Sequence, residues 1–177
     1  FLVGGSWIII NEKGKAISKV INNFNPTDIE KKLPKKSMIH HPTIMFRNDE
    51  IIRYRDKFLY AQDRDLFLRL LSNKKKMCVL PNILIKWRLN KSSVSNKRPF
   101  EQRYFVTKAI KFYFERKKYG KDDYDHFDFS KDFNDMDKRI IQGFNYKISL
   151  IYYFKTNYGK KLFRKKILRY WKIYGYS

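Results

Sequence analysis

The stretch Ala61-Gln62-Asp63-Arg64-Asp65-Leu66-Phe67-Leu68-Arg69-Leu70-Leu71 constrains the fold of this chain more than any other. Leu66, Phe67 and Leu70 follow Asp63 by three, four and seven positions, the spacing of one helical face. The stretch predicts an amphipathic helix whose apolar stripe must be covered by a second layer. Asp63 heads that stripe, where a carboxylate points inward or into a cleft. Burying an unpaired charge costs several kcal/mol, so the position asks for a partner or a chemical use. The plainer role is an N-cap, worth about 1 kcal/mol. Asp65 and Arg69 stand four apart with the acid first, the favourable order for a pair on a helix surface.

The rest of the chain supplies strands for that helix to pack on. Trp7 to Ile10, the turn Asn11-Glu12-Lys13-Gly14-Lys15 and Ala16 to Ile21 read as a hairpin. Asn25-Pro26 announces a short helix, Asn25 as N-cap and Pro26 in its first turn. Ser37 to Phe46 reads as a buried strand and Asp49 to Arg53 as a helical turn. Met77 to Leu80 and Ile83 to Trp87 read as two short strands parted by Pro81-Asn82, with Cys78 a buried strand residue. A polar loop spans Lys91 to Asn96, and beyond Pro99 the pattern is helical to about Tyr119. The expectation is an α/β fold with a mixed sheet over residues 1–96, and a helical extension over 97–177 with an acidic linker and a basic, aromatic tail.

Charge separates the function classes. The 177 residues carry a formal net charge of +23, which implies a polyanionic partner: nucleic acid, an anionic membrane surface or phosphorylated substrates. Asp122, Asp123, Asp125, Asp128, Asp132, Asp135 and Asp137 crowd one segment without calcium-loop spacing, and read as a solvated linker with an exposed His126. From Ile140 onward there is no acidic residue, and Lys and Arg alternate with Tyr, Phe and Trp, the chemistry of an interfacial anchor. A lone cysteine excludes an internal disulfide framework and suggests a reducing compartment. The opening apolar run, broken by Gly4 and Gly5, is too short for a membrane span and lacks the basic start of a signal peptide. The start at Phe1 suggests a fragment.

The order of several short motifs resembles the C-terminal half of family-2 glycosyltransferases over residues 3–96. The motifs are Val3-Gly4-Gly5, Ile10-Asn11-Glu12-Lys13-Gly14, His40-His41-Pro42-Thr43-Ile44-Met45-Phe46-Arg47, Tyr54-Arg55, Ala61-Gln62-Asp63-Arg64-Asp65-Leu66-Phe67-Leu68-Arg69 and Leu84-Ile85-Lys86-Trp87-Arg88. The block from His40 to Arg69 is the specific part. The resemblance implies a GT-A fold, a nucleotide-sugar donor, a glycan or lipid-linked acceptor, inversion at the anomeric carbon and a divalent metal (Mg or Mn) bound mostly by residues before Phe1. It gives Asp63 the role of catalytic base, beside Gln62 where the family more often has Glu. It sets His41 and Thr43 on the acceptor side of the cleft. Arg69 is a candidate anchor of the site, and Arg88 a candidate for the donor diphosphate.

A histidine common in relatives two positions after Arg88 is Asn90 here. The strings Asp63-Arg64-Asp65, Asp123-Tyr124-Asp125 and Asp135-Met136-Asp137 do not follow a buried strand, so none is expected to be the donor-metal loop. The resemblance also implies cell-surface polysaccharide synthesis, on the cytoplasmic side and peripheral to the inner face of a bacterial membrane. Two rivals remain at this level. A nucleic-acid-binding module would explain the charge, although no RNA-binding motif accompanies it. A non-catalytic remnant would explain the missing donor half.

Overall fold

The computed structural model describes residues 1–48, 53–89 and 98–134. Contacts divide the chain into the units Phe1–Ser130 and Lys131–Ser177. The basic tail and the turn expected from residue 49 lie wholly or largely outside the described residues.

The fold is mixed α/β, built on one central strand, β1 (Leu2–Ile10). β4 (Met77–Arg88) runs parallel to β1, pairing from Leu2↔Met77 to Ile10↔Arg88. That occupies one edge of β1 and leaves the other to two antiparallel strands in turn. β2 (Ala16–Val20) pairs with Trp7–Ile10, and β3 (Met45–Phe46) pairs with Leu2 and Val3. The hairpin read from residues 6–20 is present. Gly14 takes φ +82°, the left-handed conformation that closes the turn, and Lys15 N donates to Asn11 Oδ1 at 2.9 Å.

Two strand expectations are corrected. Met77 to Arg88 is a single strand with an irregular register, not two strands. Val79 pairs with Gly4 and Ile83 with Ser6, so Leu80, Pro81 and Asn82 bulge out opposite Gly5. Pro81 lacks a ladder donor, and the bulge absorbs it. Ser6, wholly buried, ties the bulge down: its Oγ lies 3.2 Å from Leu80 O and accepts from Asn22 N at 2.9 Å. Cys78 does lie in this strand, but half-buried.

Ser37 to Phe46 is likewise no continuous strand. It bends into a 3-10 turn over His41–Thr43, and only the two residues of β3 pair as a strand. Pro42 is the reason: it has no N–H for a ladder, and its fixed φ suits the first turn of a helix. Thr43 completes the turn. Its Oγ1 donates to His40 O at 2.7 Å and accepts from Gly5 N at 3.0 Å, which hangs the turn on β1.

Helix α1 (Pro26–Lys32) starts as expected: Asn25 Oδ1 accepts from Asp28 N at 2.8 Å, with Pro26 in the first turn. Helix α2 (Gln62–Ser72) buries Leu66, Phe67, Leu68 and Leu70. It ends before Lys74, whose φ of +54° turns the chain toward β4. Helix α3 (Pro99–Tyr119) buries Tyr104, Phe105, Ala109 and Phe112 and stops at Gly120, φ +78°. It packs against α2. On α3 lies an aromatic cluster around the buried Phe58, 5.5 Å from Phe105, 6.1 Å from Phe112 and 5.8 Å from Phe127 (ring centroids). A short helix, α4 (Phe129–Asn134), adds Phe129 to the cluster, 4.8 Å from Phe105.

Gly5 is where β1 tolerates no side chain. A Cβ there would lie 2.5 Å from Leu84 Cδ1 and 3.0 Å from Asn82 O. The exposed Leu84 side chain can swing away, but the bulge carbonyl has little room. Gly5→Ala is expected to cost about 1–3 kcal/mol, read as a lowered urea midpoint at unchanged slope.

Candidate functional site

Three segments place polar side chains together beside the sheet: the 3-10 turn, the loop holding Tyr54, and the first turn of α2. Ala61 precedes α2 in the left-handed conformation (φ 52°, ψ 32°) and supplies no side-chain cap. Asp63 therefore lies in the first turn and is not the N-cap. It is half-buried, and its Oδ1 accepts from Arg64 N at 2.8 Å. The other carboxylate oxygen takes no hydrogen bond among the described residues.

The Asp63 charge acts on Tyr54, His40 and Arg64. Burial raises the Tyr54 hydroxyl pKa above its ordinary value, and the Asp63 charge raises it further, so Tyr54 stays protonated. Burial lowers the His40 imidazole below its usual range; Asp63 pulls it upward and His41 pushes it down. Arg64 is pushed down to about 10 by burial, against the attraction of Asp63, and its Nη1 donates to Lys36 O at 3.0 Å.

The two histidines take different places. His40 stacks on Trp7 (4.1 Å between centroids, planes 17° apart) and meets the edge of Trp87 at 5.5 Å. His41 is exposed, with Nε2 2.8 Å from the Tyr54 hydroxyl, and its ring lies 6.3 Å from Phe67. His40 packs and His41 is exposed, an arrangement set by the 3-10 turn that begins between them.

Asp65 gives the larger correction. The Asp65–Arg69 pair forms, with Arg69 Nε donating to Asp65 Oδ2 at 2.8 Å, but it is buried rather than superficial: Asp65 has 0% exposure. Arg55 Nη1 approaches Asp65 Oδ1 at 3.8 Å and donates to Asp122 Oδ2 at 2.9 Å, while its Nη2 donates to Asp122 Oδ1 at 3.2 Å. Arg116 closes the set on Asp122 and donates from Nε to Ser72 Oγ at 2.9 Å. Asp122, expected in a solvated linker, has a side chain only 6% exposed. His126 does sit in solvent, its side chain 85% exposed beside Asp123. Asp63 and Asp65 thus serve different surroundings despite their Asp-x-Asp spacing.

The remaining candidates disperse. Thr43 is buried and holds the 3-10 turn. Gln62 is exposed at the start of α2. Arg69 is turned to Asp65 and to the Arg53 carbonyl. Arg88 donates to Asn11 O at 3.0 Å and Glu12 O at 2.6 Å, fastening the hairpin turn to β4. Sequence reasoning missed the Arg55–Asp122 bridge, which joins residues 67 apart and leaves no periodic signal. It also gave Trp7 no part in holding His40. Among the described residues, no three His, Cys, Asp or Glu side chains gather as a metal site would require. A resident divalent ion does not fit this donor set. No described helix is long and apolar enough to cross a membrane.

Over 73 residues the chain is 38% identical to the O-antigen biosynthesis glycosyltransferase WbnJ of Escherichia coli. The match covers 40% of this chain and 28% of that relative, so the chain spans little more than a quarter of the protein it matches. It is similar over that part to a sugar-transferring enzyme. No protein-family model matches the sequence, and no solved structure matches it.

Two outcomes follow from the ion network. Asp65→Ala leaves Arg69 and Arg55 short of a buried partner, and is expected to cost about 3–5 kcal/mol in urea denaturation. The second concerns acid. Burial opposes ionisation of Asp122, but Arg55 and Arg116 outweigh it and hold its carboxyl below the usual range. This stabilisation is complete above the ordinary Asp pKa of about 3.9 and is lost as pH falls through the lowered native value. Acid titration of stability should be steeper below about pH 4 in the wild type than in Asp122→Asn.

Proposed function

We propose that this chain is the acceptor-side part of a family-2, inverting glycosyltransferase of GT-A type. The whole enzyme moves a sugar from a nucleoside-diphosphate donor to a glycan or lipid-linked acceptor, in cell-surface polysaccharide synthesis. One observation carries the reading: a half-buried Asp63 carboxylate in the first turn of α2, the helix whose Phe67 lies by the His41–Tyr54 pair, in a chain similar in part to an O-antigen glycosyltransferase.

In this reading an acceptor hydroxyl attacks the anomeric carbon from the face opposite the leaving group. The new C–O bond forms as the bond to the nucleoside diphosphate breaks, and the leaving oxygen takes that electron pair. Asp63 receives the hydroxyl proton through the oxygen not bonded to Arg64 N. Proton transfer of this kind needs a heavy-atom distance of roughly 2.6–3.2 Å in the productive pose. The Arg64 N–H orients the carboxylate. Tyr54, kept protonated, and His41 offer hydrogen bonds to the acceptor's other hydroxyls, while Trp7 and Trp87 hold His40 as part of the wall.

Thr43 and Arg69 enter as supports of these segments, Gln62 as an exposed neighbour at the rim. Arg88 is engaged by the hairpin turn, so the diphosphate contact is left to other groups. A divalent ion, Mg or Mn, would draw its ligands from outside the described residues, and no step here is routed through it. The cytoplasmic, inner-membrane-face location belongs to the same proposal. It is supported by the net charge of +23 and the acid-free run after residue 140.

The test is Asp63→Asn in the full-length enzyme, with a panel of nucleoside-diphosphate sugars and lipid-linked acceptors. Transfer should fall about 10²–10⁴-fold, with donor affinity unchanged. Wild-type release of nucleoside diphosphate by the variant would remove Asp63 as the base.

A further inference from the structure

Tyr54 bonds His41, whose ring lies 6.3 Å from Phe67 of α2, yet Tyr54 is 45% exposed. Packing alone does not fix so open a side chain; its backbone must be held. Both of its neighbours are. Arg53 O accepts from Arg69, whose Nε donates to the buried Asp65. Arg55 is gripped by both oxygens of Asp122, at 2.9 and 3.2 Å, the planar fork geometry that sets direction as well as distance. Its guanidinium also lies 4.2 Å from the centroid of the Tyr124 ring.

The same segment after α3 holds the next two residues of the loop. The Tyr124 hydroxyl donates to Asp56 and accepts from Lys57 N at 3.0 Å. Lys57 Nζ donates to Asp125 O at 2.7 Å. Residues 122–125 therefore form a strap over the loop that carries Tyr54. The strap is itself anchored, because Asp122 is shared with Arg116 of α3.

We propose that Asp122 is a positioning residue: acting through Arg55, it fixes Tyr54, and with it His41, against α2 near Phe67, on the helix that opens with Asp63. Its importance for transfer rests on the reading of Asp63 given above; the structural coupling does not. The coupling matters because displacement of a positioning group by about 1 Å is enough to cost on the order of 100-fold in rate.

The test needs no substrate. The 177-residue chain labelled with ¹⁵N at histidine gives ring-nitrogen signals for three histidines, His40, His41 and His126. Tyr54→Phe removes the hydroxyl partner of His41 and defines the resulting shift change. Asp122→Asn should move the His41 signals in the same direction, and Asp122→Glu should bring them back toward wild type. His40, stacked on Trp7, is the internal control for folding. A wild-type His41 signal in Asp122→Asn, with His40 unchanged, overturns the proposal. So does a Tyr54→Phe variant that leaves His41 unmoved.

If His40 reports that Asp122→Asn is unfolded, Tyr124→Phe takes its place. It removes the strap's hydroxyl contacts and leaves the ion pairs intact. The same His41 change then supports the coupling, and a wild-type signal refutes it. Undiminished transfer by Asp63→Asn would withdraw the base assignment while leaving the His41 comparison to stand or fall by itself.

Discussion

A carboxylate with no solvent exposure, Asp65, sets the terms for the helical half of this protein. Its charge is tolerable only with cations at hand, and Arg69 and Arg55 provide them. Each arginine then has donors left over. Arg69 gives one to the Arg53 carbonyl, and Arg55 gives two to Asp122. Satisfying one buried charge thus ties α2 to the loop before it and to the segment after α3. The net benefit of such a network over apolar packing is small; the penalty for removing one member is large. It acts less as a source of stability than as a rule about which segments must meet.

The sheet imposes a different constraint. β1 is paired on both edges and has helices or turns against it, so its close approaches require small residues. Gly5 admits the bulge of β4, and its N–H is claimed by Thr43. That bond hangs the 3-10 turn, and hence His40 and His41, on the central strand. The candidate site is the meeting of these two systems. The sheet delivers Trp7, Trp87 and the histidines; the ion network delivers Tyr54 and the start of α2.

Elements whose signals are local were legible in the sequence. The hairpin at Asn11–Lys15, the Asn25 cap, the apolar face of α2 and the Pro99–Tyr119 helix depend on neighbours within a turn or two. The failures share a cause. Ser37–Phe46 has strand-like composition, but Pro42 withholds a donor and Thr43 supplies a side-chain bond in place of the ladder. Pro81 looked like a break between strands, but a buried Ser6 from β1 holds the bulge in one strand. Asp63 was singled out by periodicity as the inward acid, yet it is half-buried and Asp65 is the one sealed in. A face drawn from spacing has soft edges, and which acid falls inside depends on what covers the helix.

The sequence alone determined part of the local grammar: the start of α1, the extent of α3, which stripe of α2 must be covered, and that an acid lies at its first turn. Backbone donors, capping groups and apolar spacing act over a few residues, so they are written in order along the chain. Tertiary structure decided which acid meets which base. Asp122 reads as one of seven aspartates in a polar run, and only folding sets it against Arg55, 67 residues away. Coulomb attraction becomes selective once water is excluded, and only the packed chain determines where that happens.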